Sequence, residues 1–372
     1  MVLTLSDETS VRTQIVNGVG WIRLNRPRAL NALNEEMVKI MERQLRDWRE
    51  DDQVALVCIE GEGEKGLCAG GDMRRLYELR GHGVEAYAAS FFSTEYRMDD
   101  EIHRYPKPVL VYMDGVVMGG GVGISIGASH RIVTETTKWA MPEMNIGFFP
   151  DVGASWFLNQ MPGCVGRYLA LTSEVLRSGD LLSIGAADWY VARATWPALK
   201  QALMEKRWSP ESVRQELDHL LGQYGSATAP SSTLPLQREQ IDLHFRFDTV
   251  EAILSSLEKA AESGDEWAQK RMNNLRSKSP TSLKVTLRQL QLGQKRSLRE
   301  CLAMELSLAM NFMKCADFYE GVRSVLVDKD RSPRWEPSTL EEITEDRIRS
   351  FFQYQWGGNG SPLVDWIDKG ES

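Results

Sequence analysis

The chain is 372 residues long with 42% apolar and 26% charged residues, enough to bury a large core in one domain or two. A net charge of −8 argues against a nucleic-acid partner, which wants a basic face, while a local basic patch could still meet a phosphate. No stretch is apolar for the roughly 20 residues that a membrane helix needs, so no membrane partner is expected.

The five cysteines, Cys58, Cys68, Cys164, Cys301 and Cys315, are scattered and lack C-x-x-C spacing. They read as free thiols of a reducing compartment. The N-terminus carries no basic segment followed by an apolar run. Together these features predict a cytoplasmic protein.

In chain order, residues 1–10 are polar and loose. Val11–Val16 and Val19–Leu24 flank Asn17-Gly18, a strong hairpin signal. A loop through Asn25-Arg-Pro-Arg28 leads into a helix near Asn34, whose Met37, Ile40, Met41, Leu45 and Trp48 mark a buried face. Residues 54–59 read as an interior parallel strand. Residues 73–100 read as helical, with a break near Gly81 and Gly83. Strands follow at 108–113, 130–134 and 138–141, with a small-residue helix over 122–128. Segment 141–153 is irregular, and from Ser155 the chain is helical. A small-residue linker over 224–236 separates a core of 11–223 from a helical region of 237–356. Within that region, helices are predicted over 248–262, 281–292, 296–315 and 317–330, with fraying from Gly357.

Two glycine-rich turns each follow a strand and precede a helix: Leu67-Cys-Ala-Gly-Gly-Asp72 and Met118-Gly-Gly-Gly121. Such turns let a ligand approach the main chain and aim free N–H groups at developing negative charge. Each could equally be a tight turn in a packed core. Glu143 and Asp151 are carboxylates in apolar surroundings, beside Ile146, Phe148 and Phe149, and such acids are candidates for chemistry. The bland alternatives are an ion pair or cap for Glu143 and ordinary turn chemistry for Asp151. The five histidines have no metal-ligand spacing and no serine in a nucleophile elbow. They read as structural, and no metal is expected.

Four segments together carry a resemblance: Leu24-Asn-Arg-Pro27 with Asn31-Ala-Leu33, Leu67–Asp72, Asp114-Gly115 with Met118–Gly121, and Met141-Pro-Glu143 with Gly147. In them the sequence resembles the crotonase (enoyl-CoA hydratase/isomerase) superfamily. Phe148-Phe-Pro-Asp-Val-Gly153, Glu320-Gly-Val-Arg323 and Asp328–Pro333 bring it nearest the branch of 3-hydroxyisobutyryl-CoA hydrolases. The resemblance implies an α/β fold, a spiral of ββα units followed by a helical C-terminal region, acting on an acyl-CoA thioester. Coenzyme A is then part of the substrate and no separate cofactor is needed; a homo-oligomer is compatible with this reading.

By the same resemblance, Gly71 and Gly120 supply two N–H groups to the thioester oxygen. Glu143 is the catalytic carboxylate, acting as nucleophile or as base on water. Asp151 and Glu95 are polar anchors near a 3-hydroxyl. Ala29, Leu30 and Ala69 offer backbone groups to the ligand, with Asp72 beside them. Arg28 and Arg74 are phosphate partners or else solvated surface arginines; Lys329 and Arg331 are weaker candidates.

Hydratases of the superfamily use a second glutamate two positions after the glycine triplet. Here that position is Gly123, which disfavours hydration. Met144 and Asn145 depart from the hydrolase pattern beside Glu143, which raises the expectation of a shifted acyl preference, for example towards 3-hydroxypropionyl-CoA. A non-catalytic binding protein on the same fold is the rival from another class.

Overall fold

The computed structural model describes residues 9–225, 230–357 and 360–367, which form two compact units. The first takes residues up to 71, 94–140 and 175–235; the second takes 72–93, 141–174 and 236 onwards. The units interleave along the chain, where the sequence predicts contiguous blocks of 11–223 and 237–356. One crossing, after Pro235, falls in the expected 224–236 linker. Residues 226–229 of that linker lie outside the described ones, and a helix has already begun at Leu234.

In the first unit β1 (Val11–Val16) and β2 (Val19–Leu24) form the expected antiparallel hairpin. β3 (Leu56–Gly61), β4 (Gly66–Cys68), β5 (Val109–Met113), β6 (Val116–Met118), β7 (His130–Val133), β8 (Lys138–Ala140) and β9 (Trp189–Tyr190) follow. From β3 the odd strands extend the hairpin into a six-stranded sheet of order β1-β2-β3-β5-β7-β9, parallel beyond β2. The even strands β4, β6 and β8 make a second parallel sheet. Each pass of the chain lays one strand in the large sheet and the next in the small one, which is the expected spiral. β3 and β5 are buried over nearly their whole length, as parallel strands covered on both faces must be. Trp21, Leu56, Leu110 and Ile132 of this sheet pack with Trp196, Leu203 and Leu221, and Tyr112 stacks on Trp196 at 3.8 Å between centroids.

Four helices bear on the site: α1 (Glu35–Arg49), α2 (Met73–Glu78), α3 (Val84–His103) and α4 (Gly120–Ile126). Asn34 caps α1 by accepting the Met37 N–H, and of the predicted face Met37, Met41, Leu45 and Trp48 are buried while Ile40 is half-buried. α2 and α3 break around Gly81 and Gly83, as predicted. α3 gives residues 84–93 to the second unit and 94–103 to the first. α4 begins at Gly120, two residues before the predicted Val122, because a helix can start on glycines whose propensity argues against it.

The second unit is helical. Its segments Pro280–Gly293, Leu298–Phe312 and Ala316–Val322 surround an aromatic cluster. Phe148 lies 4.4 Å from Phe149, 5.3 Å from Phe312, 5.5 Å from Phe318 and 6.0 Å from Phe92 between centroids. The helix Glu266–Arg276 is absent from the sequence expectations. The helix predicted over 317–330 ends at Val322 and passes into a wider turn, Arg323–Val327. There the Arg323 guanidinium gathers Glu320, Asp328 and Asp330. The predicted fraying from Gly357 falls partly on residues outside the described ones, and Val364–Ile367 is a short helix.

Candidate active site

The two glycine-rich turns meet inside the first unit. Gly70 has φ +109° and Gly119 φ +50°, values that residues with a Cβ avoid. The turns pack main chain on main chain. A Cβ on Gly70 would stand 3.4 Å from the Met118 carbonyl oxygen and 3.7 Å from the Gly120 nitrogen, and one on Gly121 only 2.5 Å from the Cys68 carbonyl oxygen. The Leu33 N–H donates to the Gly70 carbonyl at 2.8 Å, and Gly71 bridges to Leu33. Gly120 is the first residue of α4, where N–H groups have no partner within the helix. Gly71 and Gly120, the two predicted donors, therefore belong to one neighbourhood.

Cys68 belongs to this turn as a structural group. Its Sγ accepts the Gly70 N–H at 3.4 Å. Burial pushes the thiol up to about 12, so it stays protonated and is no nucleophile. Glu95, 1% exposed on α3, is a buried carboxylate of this unit. A Cβ on Gly120 would come within 2.5 Å of Glu95 Oε1, so the acid lies directly over the second turn.

The loop before α1 is tied to the first turn. Asn31, 1% exposed with φ +55°, donates to the carbonyls of Glu62 and Gly66 and accepts the Arg26 N–H. The backbone groups expected to serve a ligand are engaged here. Ala69 N–H donates to the Leu30 carbonyl, Leu30 N–H to Pro27, and Ala29 N–H to Arg26. What remains for a ligand on Ala29 and Leu30 is the second lone pair of each carbonyl, since these already accept the Ala32 and Ala69 N–H groups. Arg28 is exposed. In the second unit Arg74 is exposed and paired with Glu78 at 3.1 Å, while Asp72 caps α2 by accepting the Arg75 N–H. That cap gives Asp72 a structural use.

Glu143, 4% exposed, opens a short 3-10 turn, Glu143–Ile146. Its carbonyl accepts the N–H groups of Gly147 and Phe148. Gly147 has φ +63°, and a Cβ there would strike the Asp317 carbonyl. On the facing helix, a Cβ on Gly321 would strike Ile146. Two glycines thus let Ala316–Val322 clamp the turn. The neighbours of Glu143 point into this packing. Thr286 Oγ1 donates to Met144 Sδ at 3.4 Å, and Lys278 Nζ donates to Asn145 Oδ1 at 2.5 Å. Burial lowers the Lys278 ammonium to about 8, against the pull of Glu174. Met144 and Asn145 therefore have structural partners, which weakens the expectation that they tune acyl preference.

Asp151, 2% exposed, sits on a constrained bend. Val152 has φ +54° and Gly153 φ +86°; for a β-branched residue such a value is a genuine outlier. Glu305, which sequence reasoning missed, holds this bend. It is fully buried and accepts the Gly153 N–H at 2.7 Å, the Ser155 N–H at 2.8 Å and the Ser155 hydroxyl at 2.6 Å. Burial pushes its carboxyl up to about 8; the bonds from Ser155 and Gly153 pull against that, and the charge of Asp151 adds to it. The signal was available in Cys-Leu-Ala-Met-Glu305-Leu-Ser-Leu-Ala-Met, a lone acid inside an apolar helical run.

Among the described residues no group of three His, Cys, Asp or Glu side chains could hold a metal ion. His130 is engaged by Ser129 and Asp218, and His244 by Ser256. Among the described residues no helix is long and apolar enough to cross a membrane. The chemistry on offer is that of carboxylates beside fixed backbone donors.

A sequence profile of the enoyl-CoA hydratase/isomerase family matches residues 19–352. A solved structure titled carnitinyl-CoA dehydratase from Mycobacterium thermoresistibile is similar in both fold and sequence. Its TM-score is 0.86 at 36% identity, over 94% of this chain and 97% of that one. The chain belongs to the enoyl-CoA hydratase/isomerase family. Within it, the chain is 42% identical over 334 residues to a Xenopus tropicalis protein named 3-hydroxyisobutyryl-CoA hydrolase, mitochondrial, covering 90% of this chain and 86% of that one. It is also 38% identical over 389 residues to the small ribosomal subunit protein mS47 of Neurospora crassa, covering 94% and 77%.

Proposed function

We propose that this protein hydrolyses the thioester of a short 3-hydroxyacyl-CoA, with 3-hydroxyisobutyryl-CoA as the first substrate to test. The observation that carries this is the packing of the two glycine turns, which sets Gly71 and Gly120 in one neighbourhood. Two such donors suit the oxygen of a thioester under attack and typically contribute a few kcal/mol each. In this reading Glu143 attacks the carbonyl to give an anhydride, or takes a proton from an attacking water. On either route the C–S bond breaks, the CoA sulfur leaves and is protonated, and one water is consumed per turnover. The name of the Xenopus relative supports the substrate.

A second reading, water addition to an enoyl-CoA, draws support from Glu95, an acid already lying over Gly120. Gly123, where hydratases of the superfamily bring their second glutamate, speaks against it. The Neurospora relative's name favours a ribosomal role for that protein; the acids and both glycine turns support catalysis in this chain. A cytoplasmic location is proposed, and the Xenopus relative's mitochondrial name makes cell fractionation the check.

The deciding assay follows free thiol from 3-hydroxyisobutyryl-CoA, in parallel with enoyl absorbance from a matching 2-enoyl-CoA. Thiol release should dominate, and Glu143→Gln should lower it roughly 10²- to 10⁴-fold with unchanged circular dichroism. Enoyl consumption without thiol release would transfer the protein to the hydratases. Silence in both would favour a binding role.

A further inference from the structure

We propose that a cavity of the second unit, walled by Asn145, Lys278, Ser324, Arg331 and Trp335, is a binding site for a small phosphomonoester distinct from the thioester substrate. Lys278 and Arg331 take the phosphate, and the body of the ester lies against Trp335. The proposal does not depend on the chemistry assigned to Glu143.

The cavity holds about 390 Å³, at the lower end of the roughly 300–1,000 Å³ of small-molecule pockets. None of the residues that line it is acidic. Lys278 is 7% exposed and spends one ammonium N–H on Asn145 Oδ1; an ammonium has three such donors. Among the described residues neither Lys278 nor Arg331 forms an ion pair, and the nearby acids are taken: Glu174 by Arg271, Asp328 and Asp330 by Arg323. A buried cation is costly unless it is paired. Burial accordingly pushes the Lys278 ammonium down to about 8, with only the charge of Glu174 opposing it. Lys278 also borders a neighbouring cavity that holds Glu251, Glu258 and Glu341. Of the two cavities Asn145 lines only the first, so its bond to Lys278 keeps the ammonium on that side.

The other groups complete a set of donors. With Asn145 Oδ1 taken by Lys278, the amide has its NH₂ to offer. Arg331 is exposed and has φ +54°, a value uncommon for a residue with a Cβ. Its N–H donates to the Ser324 carbonyl at 3.1 Å, which ties the base of the guanidinium to the cavity wall. Trp335 is fixed as well, its Nε1 donating to the Ser277 carbonyl at 2.9 Å. An ammonium, a guanidinium and an amide NH₂ donate and do not accept, so the set selects an anion. Two positive charges match the dianion of a phosphomonoester, which a guanidinium can grip with two parallel bonds; a carboxylate would leave one charge over. The indole of Trp335, with Val325 and Pro333 beside it, gives the ester a flat apolar wall that free phosphate does not use.

The experiment titrates the full chain by calorimetry with phenyl phosphate, inorganic phosphate and phenol. It is run near pH 7, where a phosphomonoester with a second pKa of about 6 is mostly dianionic. Phenyl phosphate should bind once per chain and more tightly than inorganic phosphate, with phenol silent. Lys278→Met and Arg331→Gln should each weaken it roughly tenfold or more, and Trp335→Leu should erase its advantage over inorganic phosphate. A thermal melt accompanies each variant. If Lys278→Met does not fold, Arg331→Gln, at an exposed side chain, decides. The titration is repeated in saturating coenzyme A, whose ribose carries a phosphomonoester of its own. Affinity unchanged by coenzyme A supports a separate site, whereas displacement by it gives the cavity to the thioester substrate and overturns the proposal. Binding that neither charge substitution weakens is an adventitious ion only and overturns it too, as does an absence of binding.

Discussion

Glu305 couples the stability of the second unit to pH, in the direction opposite to most acids. Burial raises its folded pKa to about 8 from an ordinary 4.5. The folded state therefore holds a proton that the unfolded chain has lost. The stabilisation is complete below pH 4.5 and is lost as pH rises through 8, at up to about 1.4 kcal/mol per pH unit in between. Urea unfolding of wild type and Glu305→Gln at pH 5, 6.5 and 8 isolates this contribution, since other groups cancel in the difference. The advantage of wild type over the variant should shrink steadily with pH, and an advantage that grows would show Glu305 charged in the folded protein. At this scale the sequence was half legible. Glu143, Asp151, Gly71 and Gly120 stood out because glycine pairs and acids beside phenylalanine are visible in one dimension. Glu305 and Gln289 did not, because their meaning lies in contacts to residues more than a hundred positions upstream.

Ser279 links two helices of the second unit through one hydroxyl. It caps Pro280–Gly293 by accepting the Ser282 N–H at 3.1 Å and donates to Asp317 Oδ2 at 2.5 Å. Asp317 is fully buried and opens the helix whose Gly321 fits against Ile146. Ser279→Ala removes a cap worth about 1 kcal/mol and strands a buried acceptor at about 1–3 kcal/mol. A loss of roughly 2–4 kcal/mol in chemical unfolding is expected, and a loss under about 1 kcal/mol would mean that Asp317 finds another donor. The cap was readable, since Ser-Pro before an apolar run is a helix start. The strands β4 and β6 were not readable, because three residues beside glycine carry no periodicity. The helix Glu266–Arg276 was missed although Ala268, Met272 and Leu275 stand on one buried face at helical spacing, because polar residues outnumber them.

Across the whole molecule, the interleaving of the units decides what can be cut away. The sequence divides the chain near 224–236, and a chain ending at Pro235 would keep every strand found among the described residues. It would also keep Glu143 and Asp151, but without Gly321, Thr286, Lys278, Glu305 and Gln289, which hold their turns in place. Such a truncation should show no thioesterase activity and should expose the Phe148 cluster to a hydrophobic dye; full activity from it would contradict the clamps described above. The same dependence has a meaning in time. Ile146 leaves the ribosome about 175 residues before Gly321, and at roughly 5–20 residues per second that is a wait of about ten to thirty-five seconds. During that interval the glycine turns can assemble while the segment bearing Glu143 has nothing to fold against. Competence therefore arrives only after Gly321 has emerged, and every nascent chain passes through a period in which the turn bearing Glu143 is available to chaperones.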